Sequence, residues 1–365
     1  MPQVKPDVET FARIKVIGVG GSGLNAVDHM IRSKVKGVDF IGINTDAQDL
    51  HNSLMSQKLH IGSSITRGLG TGMDPELGRQ AAEENRVEIQ EFLEGVDMIF
   101  ITCGFGGGTG TGAAPVIASL AKDAGILTIA VVTRPFSFEG VQRAKIAEEG
   151  IFRAREQVDA MIIIPNDRLL SLVDKNTPFL SAFAMCDEIL RQAVQGISDI
   201  ITLPGIVNVD FSDVRAVMEN AGSALIGVGR ASGERRAENA ARSAINSPLL
   251  DLSINGAKGV LFSVAGGDDM TMLEIQEAAQ VITESIDKDA KVIFGAFRDE
   301  NLKKNEIKIT VIASGFPHEG RMQGLFQNEG RRSAKPSPEG EGVEEADWDS
   351  VPAFLRRTKR DKDKT

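Results

Sequence analysis

The chain is poor in cysteine, in heavy aromatics and in positive charge. Its 365 residues include two cysteines, one tryptophan, no tyrosine and four histidines. Cys103 and Cys186 are too few for a disulfide framework and have no CxxC spacing, which suits a reducing compartment. His29, His51, His60 and His318 form neither an HExxH pattern nor a close pair, which argues against a histidine-built metal site. No apolar run reaches the roughly 18 residues of a membrane span. The opening segment MPQVKPDVET lacks the apolar core of a signal peptide. Lys and Arg number 41 against 51 Asp and Glu, a formal net charge of −10. Phosphate backbones reward clustered cations, so general nucleic-acid binding is disfavoured. A nucleotide remains possible, because backbone N–H groups hold phosphate without side-chain charge.

What is present is an α/β pattern. Spans 14–18, 38–44, 96–102, 127–133 and 160–164 read as strands. Spans 25–32, 75–93, 112–124 and 141–157 read as helices. Near-continuous apolar strands alternating with helices predict a parallel sheet covered on both faces. Apolar positions at three- and four-residue steps predict a long helix over 178–201, stopped by Leu203-Pro204-Gly205. A short helix is expected over 210–220. Farther on, helices are expected at 237–245 and 272–286 and strands at 259–265, 292–297 and 306–313, the last with one wetter face. The chain therefore divides into an N-terminal extension (1–11), a parallel-sheet domain (12–177), a central helix (178–203), a loop and short helix (204–222) and a smaller C-terminal α/β domain (223–316). A Gly-, Glu-, Ser- and Pro-rich linker, expected to be disordered (317–346), leads to a terminal peptide with a basic end (347–365).

Two glycine loops carry the chemistry. Gly18-Val19-Gly20-Gly21-Ser22-Gly23 matches GxGxxG between a strand and a helix, with Asp46 downstream. Alone, it supports a dinucleotide site and an oxidoreductase reading. The second loop, Gly104 to Gly112, has glycine at six of nine positions. That density costs backbone entropy and suits a nest of N–H groups around a di- or triphosphate, with Thr109 and Thr111 adding hydroxyls. A Rossmann dehydrogenase needs one such loop, and no GxxxxGK[ST] occurs.

The stretches IKVIGVGGSGLNAV (14–27), INTDAQ (43–48), GFGGGTGTGAAPV (104–116), VVTRPFSFEG (131–140), IPND (164–167), NVDFSDVR (208–215) and DSVPAFLRR (349–357) together resemble the tubulin/FtsZ superfamily, on its FtsZ side. The resemblance runs from about residue 12 to 315, plus the terminal peptide. It implies a GTPase that polymerises head-to-tail into the filaments of a division ring at midcell in the cytoplasm. Gly20, Gly21, Ser22, Gly23, Leu24 and Asn25 would line the α- and β-phosphates, and Gly107, Gly108, Thr109 and Gly110 the β- and γ-phosphates. Glu139 would touch the ribose, with Arg143 beside it. Asn166 and Asp187 would meet the guanine, and Phe183 would stack on it. Adenine lacks the donors that a buried carboxylate needs, so Asp187 would select guanine. The chain departs from the family at Thr71 (often alanine), Asp74 (often asparagine) and Ser22 (often glycine). At Thr71 the change could add a hydroxyl donor, while Asp74 could serve only to cap the next helix.

The same resemblance places Asp210 and Asp213, with Asn208, in the nucleotide site of the next molecule, where they would orient the attacking water. Local sequence also permits a helix cap plus its partner three residues on. Mg²⁺ would be held mainly by phosphates and water. In the terminal peptide, Asp349, Val351, Pro352, Phe354 and Leu355 would dock on division adaptors such as FtsA, leaving membrane contact indirect. A nicotinamide or flavin oxidoreductase and a non-hydrolysing filament scaffold are the alternative classes.

Overall fold

A computed structural model describes residues 12–170, 178–203, 205–247, 254–299 and 302–316. In chain order the first elements are β1 (Ile14–Val19), α1 (Gly20–Arg32), β2 (Asp39–Asn44), α2 (Ala47–Asn52), β3 (Gln57–His60), α3 (Ser63–Thr66), α4 (Pro75–Glu84), α5 (Arg86–Leu93), β4 (Met98–Gly104), α6 (Thr109–Asp123), β5 (Leu127–Arg134), α7 (Val141–Arg155), β6 (Ala160–Pro165) and α8 (Asn166–Leu170). There follow α9 (Phe179–Thr202), β7 (Gly205–Val207), α10 (Phe211–Met218), β8 (Gly222–Ser232), α11 (Arg236–Ile245), β9 (Gly259–Gly266), α12 (Met272–Thr283), β10 (Lys291–Arg298) and β11 (Glu306–Ser314). Among the described residues no helix is long and apolar enough to cross a membrane.

The strands order as β3-β2-β1-β4-β5-β6-β8-β11-β9-β10-β7. The first six are parallel; the parallel arrangement is the expected one, with β3 an addition to the five strands read from the sequence. Their alternation explains why both faces are covered. Val16, Met98 and Phe100 enter the core shared with α9, while Ile17, Ile99 and Ile101 enter the opposite core beneath α4 to α7. β1 pairs with β2 on one side and β4 on the other, so the chain reverses direction across the sheet between β1 and β4. In such sheets the crevice at the carboxyl ends beside that reversal is where ligands bind.

The C-terminal half joins the sheet through a short parallel pairing of β6 with β8, from Ala160↔Gly222 to Ile162↔Ala224. Helix α9 buries Leu190, Ala193, Val194 and Ile197 in a core that also holds Ile129 and Val131 of the first half and Leu261 and Ile312 of the second. A separate core lies under α11 and α12, with Phe262, Val264 and Ile309 at its base.

Several elements differ from the sequence reading: the short strands β3 and β7 and the short helices α2 and α3 have no counterpart in it, and three longer elements depart from it. The helix expected over 75–93 breaks at Asn85 (φ −107°, ψ 31°), where α4 ends and α5 begins. The glycine-rich strand β8 has no counterpart among the expected strands. Its Gly227 and Gly229 carry no Cβ because one would come within 2.0 Å of the Ala244 and Ala240 carbonyl oxygens of α11. Close helix approach, rather than loop flexibility, explains those glycines. Strand β11 has no wet face: it lies between β8 and β9, and Lys308 and Thr310 are buried. Burial pushes the Lys308 ammonium pKa down, and the Asp199 carboxylate of α9 opposes that shift. Asp199 is itself pushed up to about 6, chiefly by burial. The expected terminal linker and peptide lie outside the described residues.

Candidate functional site

At the carboxyl ends of β1 and β4 the two glycine loops face each other across a cleft of about 390 Å³. Each loop leads directly into a helix, α1 after Val19 and α6 after Gly108, and neither helix has a side-chain cap or an acidic residue in its first turn. The first N–H groups of a helix have no intrahelical acceptor, and its dipole favours negative charge there. Two uncapped N-termini converging on one cleft make a strong anion cradle. A Cβ on Gly107 would meet nothing within 4 Å, so that stretch of backbone is open towards the cleft. Gly112 has a different reason: its Cβ would fall 1.9 Å from the Pro75 carbonyl oxygen. Part of the loop's glycine content therefore seats α4 against α6.

The cleft is lined by Gly20, Gly21, Ser22, Gly107, Gly108, Thr109, Gly110, Glu139, Arg143, Asn166, Phe183 and Asp187. Three residues expected beside the phosphates do not line it. Gly23 packs under the loop, where a Cβ would lie 2.4 Å from the Thr102 carbonyl oxygen. Leu24 belongs to the core below α1, and Asn25 is solvent-exposed on that helix. Thr111 turns away as well: its hydroxyl accepts the Gly106 N–H at 3.0 Å and so braces the loop from behind. Asp46, the acid that lent weight to a dinucleotide reading, accepts the Gln48 and Asp49 N–H groups as the N-cap of α2. Asp74 likewise caps α4, accepting the Glu76 N–H at 2.9 Å.

At the β5 and β6 side the wall is built for a planar polar group. One oxygen of Glu139 accepts the Phe136 N–H at 2.9 Å and the other pairs with Arg143. The i,i+4 ion pair and the cleft wall are therefore the same residues. Asn166, directly after β6, is buried, and its Oδ1 is an orphan acceptor among the described residues. Burying such an atom unpaired costs about 1–3 kcal/mol, which a ligand N–H would recover. Asp187 is pushed up to about 6 by burial, with the charges of His29 and Arg32 pulling the other way. Phe183 packs edge-on against Phe136, with ring centroids 5.3 Å apart. Orphan acceptor, desolvated carboxylate and ring together suit a base that presents N–H donors.

Thr71, marked in the sequence as a departure with a spare hydroxyl, does line the cleft. Sequence reasoning missed Gly72, Met73, Thr133, Cys186 and Leu190 as cleft residues. Cys186 and Leu190 carried a usable signal, since 183, 186, 187 and 190 share one helix face. Burial drives the Cys186 thiol up to about 12, so it is inert packing here.

Asp210 and Asp213 are elsewhere. They follow β7, the last strand in the sheet order, at the start of α10. Asp213 Oδ2 accepts the Asp210 N–H at 3.3 Å, and Asn208 Oδ1 accepts the Gly205 N–H at 2.6 Å. Asn208 and Asp210 are exposed, and none of the three lines the cleft. The terminal-peptide residues Asp349, Val351, Pro352, Phe354 and Leu355 lie outside the described residues.

Known proteins match this arrangement. The model of the tubulin/FtsZ family GTPase domain matches residues 13–174, and that of the FtsZ family C-terminal domain matches 222–317. An FtsZ dimer from M. jannaschii, described as empty, is 44% identical, covering 84% of this chain and 89% of that one, with a TM-score of 0.80. The chain belongs to the tubulin/FtsZ family. A point mutant of the M. jannaschii FtsZ matches equally, with 44% identity and a TM-score of 0.80 over 84% of this chain and 92% of that one. CetZ2 from Haloferax volcanii, in a GTPγS-bound protofilament, shares the fold at 22% identity with a TM-score of 0.71, over 86% of this chain and 96% of that one. The FtsZ fold, with its parallel-sheet GTPase domain, central helix and smaller C-terminal domain, is therefore the fold of this chain.

Proposed function

We infer that this chain binds GTP in the cleft, polymerises head-to-tail and hydrolyses GTP only where one copy meets the next, so that it forms the filaments of a cytoplasmic division ring. One observation carries the reading. Among the described residues the only carboxylates lining the cleft are Glu139 and Asp187. Glu139 is engaged with Phe136 and Arg143, and Asp187 stands on the base side. The phosphate end thus offers hydroxyls and N–H groups but no acid to orient a water. Asp210 and Asp213, on the far edge of the fold, supply two acids that their own cleft does not use.

Asn166 and Asp187 would accept from the guanine N–H groups, Phe183 would stack on the ring, and Glu139 would accept from the ribose hydroxyls. The two helix N-termini would hold the phosphates. In a stacked pair, Asp210 and Asp213 of one copy would polarise the water beside the other's terminal phosphate, with Asn208 against that phosphate. Phosphoryl transfer asks chiefly for such positioning and charge neutralisation. Mg²⁺ fits a phosphate end lined by hydroxyls, where phosphates and water would be its main ligands, and it would neutralise phosphate charge. A head-to-tail contact that does not close propagates as a filament. Residues 12–177 and 223–316 would act as the two domains, joined through α9. The terminal peptide would dock on adaptors such as FtsA.

The test is phosphate release per molecule against protein concentration. The reading predicts a steep rise with assembly. A rate that stays constant down to dilute monomer contradicts it.

A further inference from the structure

Two charged side chains are buried outside the cleft and have no part in the proposed reaction: Asp199 on α9 and Lys308 on β11. They stand where α9 crosses β11. Gly196 of α9 packs so closely on Thr310 of β11 that a Cβ would fall 2.7 Å from the Thr310 Cγ2. Asp199 is about one helical turn beyond Gly196, and Lys308 shares the strand face of Thr310. Only 6% of Asp199 and 7% of Lys308 is exposed. Each feels the other's charge, yet among the described residues no ion pair joins them. The other groups facing the pair are Arg191 and Gln195 from α9, Arg230 from β8 and Asp299 beyond β10. Arg230 is the ladder partner of Lys308 and adds like charge beside the ammonium, as Asp299 does beside Asp199. Arg191 is committed to Glu188 and Gln195.

Burial raises Asp199 from the ordinary 3.8 to about 6, and the attraction of Lys308 does not offset it. In the closed seam the carboxyl group therefore prefers to keep its proton. Ionising it there costs free energy, and the cost is relieved once water reaches the carboxylate. The Lys308 ammonium, pushed down by burial as well, gains from the same opening. The advantage of the closed seam is greatest below about pH 4 and is lost as pH climbs to about 6.

We propose that Asp199 and Lys308 make the contact between α9 and β11 a pH-sensitive seam, closed while Asp199 carries a proton and opened to water once it is ionised. The proposal does not depend on what fills the cleft. It bears on the cleft through α9 itself. Phe183 and Asp187 lie in the first turns of that helix, which ends at Thr202 just before β7 and the Asp210 loop. A change in how α9 sits on β11 therefore reaches both places. With the folded and ordinary values of Asp199, linkage makes the opening constant about tenfold larger at about pH 7.5 than at about pH 5.

The experiment places a thiol in the seam with Thr310→Cys, at a position only 2% exposed, in the full chain without nucleotide. The rate at which iodoacetamide alkylates position 310, read by mass spectrometry, is divided by the rate for the urea-unfolded chain at the same pH. That ratio is the opening constant, corrected for thiol ionisation. It should rise about tenfold from about pH 5 to about pH 7.5. Adding Asp199→Asn should make it independent of pH. Adding Asp199→Asn together with Lys308→Met, which removes both buried charges, should also make it independent of pH, and carries the same prediction if the single variant does not fold. Asp187→Asn, which removes the other acid of α9 that titrates near 6, should leave the tenfold rise in place. A ratio that does not change with pH, a rise that survives the loss of Asp199, or a rise abolished by Asp187→Asn overturns the proposal.

Discussion

If Asp187 meets the base as proposed, function is set against stability at that single residue. Its pKa of about 6 stands above the ordinary 3.8 because burial penalises the ionised form. A raised folded-state value means that the nucleotide-free protein loses stability as pH climbs from about 4 to about 6 and holds level above that. Replacing Asp187 with Asn should therefore stabilise the nucleotide-free protein at about pH 7.5 by ~1–3 kcal/mol, with the gain vanishing near pH 4. Urea unfolding at the two pH values checks this. Binding runs the opposite way. Under the proposed reading guanine donors would need the carboxylate ionised, so GDP affinity should fall as pH drops through about 6 and stay flat above it. Titration calorimetry from about pH 5 to 8 measures it, and a flat profile removes Asp187 from base recognition.

At the scale of elements, caps and glycines make separate demands. Asp74→Ala removes the N-cap of α4 and should cost about 1 kcal/mol. Gly229→Ala drives a methyl into the backbone of α11 and should cost about 1–3 kcal/mol. Denaturant midpoints for both variants test the order of the two effects. The same elements show what was legible in the sequence. Five of the six parallel strands could be read because each is a mostly apolar run, whereas β3 (QKLH) was hidden because it is short and polar. The glycine loops could be read because glycine clusters between a strand and a helix have few other uses. Strand β8 was hidden because its glycines read as turn signals, when close packing by α11 required them. The buried state of β11 was hidden because Lys308 and Thr310 look like a wet face until α9 lies across them. Thr111 and Asp46 looked like site residues by spacing, but each satisfies a backbone N–H nearby. Local hydrogen bonding competes with ligand binding for the same residue types, and spacing alone does not separate the two.

For the whole molecule, the account depends on where the sheet order puts its two ends. The cleft opens at β1 and β4, while Asn208, Asp210 and Asp213 follow the edge strand β7. Helix α9 joins them in sequence, carrying Phe183 and Asp187 in its first turns and ending at Thr202 beside the approach to β7. Asp213→Ala should still assemble with GTP yet release phosphate about a hundredfold more slowly. Pelleting and phosphate assays on the same sample would show that separation.

The most direct test mixes two inactive variants. On the proposed reading Asp187→Ala should be impaired in its own cleft but keep the acidic loop, and Asp213→Ala should keep a cleft able to hold GTP but lack the acid. If one copy completes its neighbour's site, an equimolar mixture that co-sediments should regain a substantial fraction of wild-type phosphate release, although each variant alone is nearly silent. A co-sedimenting mixture no more active than the sum of its parts would contradict the shared site.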